Sequence, residues 1–456
     1  MKRHINLVNV IALLMSGLMF IWPIKYTIAA RNSTSALILI LALVWWRTQG
    51  KPLSPILKTK PVMVATGCLA ALTCWFMFQA IFIVPEADWV WGELRSQWFK
   101  DMVYWGLGLV LGAGCLKQQQ SGNRVWLLAV LSGLLAIVLW NVVVCFWLWA
   151  STGQMPTWHY VTGARMTDSY VNNMLLAFLV GDLLARGRNT RFLPWSYMLS
   201  SLFVVLCLFN TAFIGARNGW IGLGMLVFSV IVVHYINGWR RVGKKALMFL
   251  PVLLALLVAG AWISWKSDSR WNSLKETLPI AWDIDTHKAW MNHDKYAFPV
   301  LPNGAMADES NYERPAWIHA GLRLVANRPL GAGFSRHAFG HELVRLYPEN
   351  DPVPGMHAHS SMIDLAVGGG VPGVILWIGF IGVLVWFGGA AFFRHGSGAG
   401  LVLLFLTAGF FGRSVLDSNM RDHAMEQFIF IVAFLLPMVC ADLREDNTAI
   451  STDTGA

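Results

Sequence analysis

Apolar residues along this chain come in long unbroken runs, not in strand-like alternation and not at the spacing of a helix with one wet face. A helix needs about 20 apolar residues to cross a hydrocarbon core of about 30 Å. Runs near that length predict spanning helices at 5–22, 33–46, 61–84, 99–116, 125–150, 169–185, 194–213, 218–236, 246–265, 372–393, 400–416 and 425–442. A shorter apolar piece, 360–370, precedes the tenth and is expected to be re-entrant or interfacial. Between the ninth and tenth runs lies a polar segment rich in Trp, His, Pro and Arg. Its stretches WNSLKETL (271–278) and RPAWIHAGLRLVAN (314–327) have helical periodicity, and Pro329, Pro348, Pro352 and Pro354 interrupt it. The expected organisation is helices 1–9 over 1–265, a large loop with short helices over 266–359, helices 10–12 over 360–443, and a disordered tail over 444–456.

Composition agrees with that pattern. Of 456 residues, 56 % are hydrophobic and 13 % charged, where a soluble protein carries roughly 25 % charge. No soluble interior of this size accommodates 24 Trp and 26 Phe beside the aliphatic residues. Disorder, collagen, coiled coil and a disulfide scaffold are excluded on the same grounds, and the continuous runs disfavour a β-barrel. The fold expected is an all-α integral membrane protein of about twelve spans. The first run lacks a clear small-residue cleavage site and reads as an uncleaved helix. Cys68, Cys74, Cys115, Cys145, Cys207 and Cys440 all lie in apolar runs without CxxC spacing, so zinc sites and disulfides have no support.

The net charge of +10 is read as basic cytoplasmic loops and not as nucleic-acid binding. Arg47, Lys51, Lys58 and Lys60, then Arg186, Arg188 and Arg191, then Arg240, Arg241, Lys244 and Lys245 cluster at one set of loops. The other set carries only scattered Lys25, Arg31, Arg95, Arg165, Arg217, Arg413 and Arg421. The positive-inside rule then puts both termini in the cytoplasm and segment 266–359 outside, which in a bacterium is the periplasm.

Candidate chemistry gathers on that outer side. Segment 355–373, GMHAHSSMIDLAVGGGVPG, sets His357 and His359 before an apolar run, with Gly370 and Gly373 behind them. The bland account is interfacial histidines and glycines for close packing. The sharper one is a general base at the membrane–water boundary, since histidine titrates near pH 6.5. Arg217, in the short turn TAFIGARNGW, opens the eighth helix where free N–H groups and the dipole favour an anion. The alternative is a snorkelling arginine. Arg314, Arg323, Arg328 and Arg336 follow in RPAWIHAGLRLVANRPLGAGFSR, and Arg165 lies in VTGARMTDS. Most are expected to be surface charges, yet outer arginines are what an anionic lipid head group needs. His337 and His341 are four residues apart, but no HExxH or Cys partner accompanies them, so a metal is not expected. The glycines of GLGLVLGAGC (106–115) lie inside a span and read as packing, not as a dinucleotide loop.

Three of these features together resemble the bacterial O-antigen ligases and the wider superfamily with O-antigen polymerases and O-linked oligosaccharyltransferases. They are His359-Ser-x9-Gly370-x-x-Gly373, the outer turn with Arg217, and Arg314-x-x-Trp317 leading into NRPLGAGF (327–334). Ser360 stands where asparagine is common in that family, a departure that blurs the branch. The resemblance implies a GT-C-like architecture in the bacterial inner membrane, with the active site facing the periplasm. It implies an enzyme, a glycosyltransferase completing lipopolysaccharide by transferring a glycan from undecaprenyl diphosphate to a sugar hydroxyl of the lipid A core. The partners are that donor, that acceptor and membrane lipids, with no nucleic acid and no cofactor. His359 is then the catalytic base or orienting group, and Arg217 and Arg314 hold the diphosphate. Arg165, Arg336, His337 and His357 are further candidates for the same pocket. A lipid diphosphate is already a good leaving group, so no carboxylate pair is required and arginines can stand in for a metal. Inversion at the anomeric carbon is the expected outcome. A polymerase or protein O-oligosaccharyltransferase is the near alternative. A secondary transporter is the distant one, disfavoured because ionisable groups gather at the outer rim and the mid-span positions are apolar.

Overall fold

The computed structural model describes residues 7–49, 53–85, 87–154, 162–163, 165–241, 262, 270–353 and 357–452. The long helices are α1 (Leu7–Ile21), α2 (Ile28–Thr48), α3 (Lys60–Phe78), α4 (Phe99–Gln120), α5 (Val125–Thr152), α6 (Arg165–Arg186), α7 (Tyr197–Ile214) and α8 (Arg217–Arg241). The loop contributes α9 (Arg270–Trp282), α10 (Glu309–Asn327) and α11 (Ala338–Leu346). The chain ends with α12 (Ser361–His395), α13 (Gly398–Ser414) and α14 (Asp422–Thr452). A helix stands over each predicted span except 246–265, of which only Trp262 is among the described residues. Among the described residues, 7 helices are long and apolar enough to cross a membrane. α1 and α13 are apolar but shorter. α4 and α6 carry Lys100 and Asp101, and Arg165, Asp168, Asp182 and Arg186, which lower their hydropathy.

Sequence signals set the helix ends. Ser196, Ser360 and Ser397 cap α7, α12 and α13 through their hydroxyls, and Gly153, Gly215 and Gly396 end α5, α7 and α12 in the left-handed conformation. α14 runs through the centre of the bundle, with Phe428 to Leu436 fully enclosed. A Cβ on Gly108 or Gly112 would lie 2.4 or 2.1 Å from a carbonyl oxygen of α14, so these two glycines serve helix packing. α14 continues to Thr452, through residues expected to form a disordered tail, because no Gly or Pro interrupts LREDNTAIST. The interior also holds an amide chain absent from the sequence reading of apolar mid-spans. Asn141 donates to Asn210 at 2.6 Å, and Asn210 to Asn172 at 3.1 Å, joining α5, α7 and α6.

The apolar piece 360–370 and the span after it form one element broken at Gly370, where φ is 67° and ψ −179°. Pro372 lacks an N–H and the break withdraws others, so several carbonyls of the first segment lose their helical partners. The loop supplies replacements. Ala332 N–H donates to Val367 O at 2.9 Å, Gly333 N–H to Gly368 O at 2.8 Å, and Val371 N–H to Pro329 O at 2.9 Å. Trp75 Nε1 donates to Gly369 O at 2.6 Å, and Gln79 Nε2 to Leu330 O at 2.5 Å. NRPLGAGF is therefore sewn to the broken helix, and the loop's own core of Trp290, Tyr312, Trp317, Phe339 and Leu343 sits over that end of the bundle.

Candidate active site

The turn before α12 places the two histidines. His359 has φ 48°, an uncommon backbone state for a residue with a side chain. Four contacts hold the turn there. His359 N–H donates to His357 Nδ1 at 3.2 Å, and Ala358 N–H to Asp364 Oδ1 at 2.8 Å. Ser361 N–H donates to Asp417 O at 2.9 Å, and Met420 N–H to Ser361 Oγ at 2.9 Å. The second pair ties the turn to the α13–α14 connection, DSNMR (417–421), which also brings Ser418 Oγ to 3.2 Å from His357 Nδ1.

The rings of His357 and His359 lie 4.0 Å apart, centroid to centroid. Both are half-buried, and burial is the main cause that pushes them down, His357 to about 3 and His359 to about 4. The charges of Arg421 and Arg314 act in the same direction on both. Both histidines are thus neutral near pH 7. The ring nitrogens of His359, and Nε2 of His357, make no hydrogen bond to a described residue.

Arg314 lies in the first half of α10, and its Nη1 donates to Asn218 Oδ1 at 3.4 Å. Asn218 follows Arg217, the first residue of α8, so the α8 start and Arg314 meet beside the histidines. Only the backbone position of Arg217 is described. Arg421 was read from the sequence only as an outer charge. Its Nη2 is buried and unpartnered among the described residues. It lines a cavity of about 50 Å³ with Asp364, Ser361, Arg336, Glu93 and Phe334. Asp364 and Ser418 also escaped the sequence reading. The signal for Ser418 was the unusually polar DSNMRD between two apolar spans, and that for Asp364 was a lone carboxylate inside the apolar piece 360–370.

The other sequence candidates fall at the rim. Arg336 donates from Nε to Glu93 Oε1 at 2.9 Å and from Nη1 to Asp422 Oδ1 at 2.9 Å, so two carboxylates engage it. His337 is exposed, and its charge, when present, bears on His357. Arg165 opens α6, one residue before Met166, whose carbonyl accepts from Arg413 Nη2 at 3.2 Å. Arg323 is bound to Asp285 by two contacts of 2.6 Å, and Arg328 to Glu342 at 3.0 Å. Three further loop histidines pack on aromatics, His341 on Trp89, His319 on Trp282 and His293 on Phe298.

Two neutral histidines, two arginines and a helix start at one rim offer a proton acceptor beside a polyanion site. No curated protein matches the chain. Residues 202–378 match the family model described as O-antigen ligase, a segment that carries Arg217, Arg314 and both histidines and ends before Arg421. The likeness to that family covers residues 202–378 and falls on the same positions as the sequence motifs.

Proposed function

We propose that this membrane protein is an O-antigen ligase that moves a glycan from undecaprenyl diphosphate to a sugar hydroxyl of the lipid A core. The reaction takes place at the periplasmic face of the bacterial inner membrane, which is the loop end of the bundle, with both termini cytoplasmic. The observation that carries the reading is the pairing of neutral His359 with Arg314 and Arg421. The acceptor hydroxyl oxygen attacks the anomeric carbon while the bond to the diphosphate oxygen breaks. Undecaprenyl diphosphate leaves with that electron pair, and the hydroxyl proton passes to the His359 imidazole. Attack opposite the leaving group inverts the anomeric centre. Arg314, Arg421 and the α8 start at Arg217 stabilise charge on the diphosphate. One such preorganised contact contributes about 3 kcal/mol, about a hundredfold in rate.

The test is transfer by the purified chain from undecaprenyl-diphosphate-linked glycan to lipid A core, with EDTA present. Glycan on the core, lost in His359→Ala and Arg217→Ala, is the expected result. Lengthening of the donor glycan with no transfer to the core would make the protein a polymerase instead.

A further inference from the structure

We propose that His357 serves the transfer as a neutral hydrogen-bond donor, its Nε2–H meeting an oxygen of the leaving diphosphate, with Asp364 and Ser418 as positioning residues. The proposal rests on the reading of this site as a diphosphate-linked glycosyl transfer.

The tautomer follows from one contact. The His359 N–H donates to His357 Nδ1 at 3.2 Å. A backbone N–H has no acceptor form, so Nδ1 must present a lone pair. A neutral imidazole then carries its proton on Nε2. Protonating Nδ1 would set two N–H groups against each other, which opposes the cation independently of burial. The groups around His357 act the same way. Arg421, Arg314, His337 and His359 each disfavour its positive form. Asp364 is the nearby acid, but its Oδ1 is taken by the Ala358 N–H at 2.8 Å. Its Oδ2 lies 3.5 Å from Ser418 Oγ, which stands 3.2 Å from His357 Nδ1. Asp364 and Ser418 therefore pin the inner edge of the ring and the turn that carries it. The outer edge keeps an N–H with no partner among the described residues.

The division of labour is chemical. A donor that keeps its proton throughout stabilises charge growing on the diphosphate oxygen without a proton-transfer step. His359, which shows no such constraint on its ring nitrogens, receives the acceptor's proton. Two adjacent histidines thus differ in role because the backbone of one fixes the tautomer of the other.

The experiment compares His357→Gln with His357→Ala in the full chain, using the glycan-transfer assay. A glutamine amide nitrogen reaches the place of Nε2 and donates but does not act as a base. His357→Gln is expected within about tenfold of the parent, with the acid limb of its kcat/KM profile unmoved, and His357→Ala to fall about a hundredfold. Ser418→Ala is expected to lower kcat with KM unchanged, and Ser418→Thr to restore it. Equal loss in the Gln and Ala variants with a vanished acid limb would make His357 the base and overturn the proposal. So would parental rates in both. A second readout does not depend on transfer. In protein labelled with ¹⁵N-histidine, the His357 signals, assigned by their loss in His357→Gln, should show a lone-pair Nδ1 and a protonated Nε2. The reverse tautomer sinks the donor role even in an active enzyme. A parent chain that transfers no glycan fails the ligase reading while leaving the tautomer measurement intact.

Discussion

Trp317 and His359 lie ring on ring, with centroids 5.0 Å apart and planes 17° from parallel. The indole is fixed in turn, its Nε1 donating to the Trp290 carbonyl at 2.8 Å inside the loop core. The loop core therefore holds one face of the His359 ring. Such a stack is worth about 1 kcal/mol, and its loss also frees the imidazole to rotate. Trp317→Phe keeps a ring face and loses the hydrogen bond to Trp290. It should retain transfer within about tenfold, while Trp317→Ala should lose about a hundredfold, with KM for the donor little changed. Rates measured beside melting temperatures separate this from unfolding, since truncating a buried Trp also costs about 3–5 kcal/mol.

The depressed pKa of His359 has two consequences of known sign. The unfolded chain binds more protons than the fold between about 4 and the ordinary value of 6.5. The contribution of His359 to stability is therefore complete above pH 6.5 and is lost as pH falls from there toward 4. For the proposed transfer, His359 stays able to accept a proton down to the folded value. The acid limb of kcat/KM should lie near pH 4 and not near 6.5. Arg314→Gln removes one of the charges that depress it, so the residual activity should show the limb displaced upward. A limb near 6.5 in the parent chain would mean that another group limits the rate.

Much of this was legible in the chain. Long apolar runs fix spanning helices because the bilayer demands one length and one composition. His357, His359 and Arg314 stood out because polar groups near a helix start in an outer loop have few structural reasons to be there. The break at Gly370 was half visible, as a short apolar piece before a span, but its partner was not. Val367, Gly368 and Gly369 carbonyls are answered by Ala332, Gly333 and Trp75, and no local pattern announces backbone pairing across tens of residues. Arg421 and Arg336 show the same limit in opposite directions. Both are outer arginines in sequence, yet one meets two carboxylates and the other leaves a buried nitrogen unpartnered among the described residues. That difference is set by which helix ends pack together.

The seam at Gly370 should be intolerant of any side chain. A Cβ there would sit 2.3 Å from the Leu330 carbonyl carbon, and the φ of 67° with extended ψ is open essentially to glycine alone. Gly370→Ala should destabilise by about 3 kcal/mol or more, read as a lower melting temperature in detergent. Gly379, in the same helix, has open space where a Cβ would go. Gly379→Ala should melt like the parent. Equal melting of the two variants would mean that the loop does not depend on the broken helix.

Arg336 should behave as a structural arginine. Its partner Glu93 is 8 % exposed, so removing the guanidinium strands a buried carboxylate. Arg336→Ala should cost roughly 1–3 kcal/mol of stability, discounted because Arg336 itself is partly exposed. The donor KM should change less than about threefold, and adding Glu93→Gln should recover part of the stability. A tenfold rise in KM with melting unchanged would return Arg336 to the substrate site.

Arg421 should behave in the opposite way. A buried guanidinium nitrogen without a hydrogen-bond partner costs about 1–3 kcal/mol relative to a satisfied one. The fold gains nothing from that nitrogen, but a diphosphate oxygen would complete it with a charge-assisted bond. Its charge also helps keep both histidines neutral. Arg421→Ala should therefore lower kcat/KM about a hundredfold while the melting temperature stays level or rises, the signature of a residue kept for activity at the expense of stability. Arg421→Lys should recover only part of the rate, because a point charge does not reproduce the planar fork. The acid limb of both variants should tell them apart further. It should rise in Arg421→Ala, where a positive neighbour is gone, and stay near the parent value in Arg421→Lys. Loss of stability together with activity would instead make Arg421 a packing residue and leave Arg314 and the α8 start to hold the diphosphate.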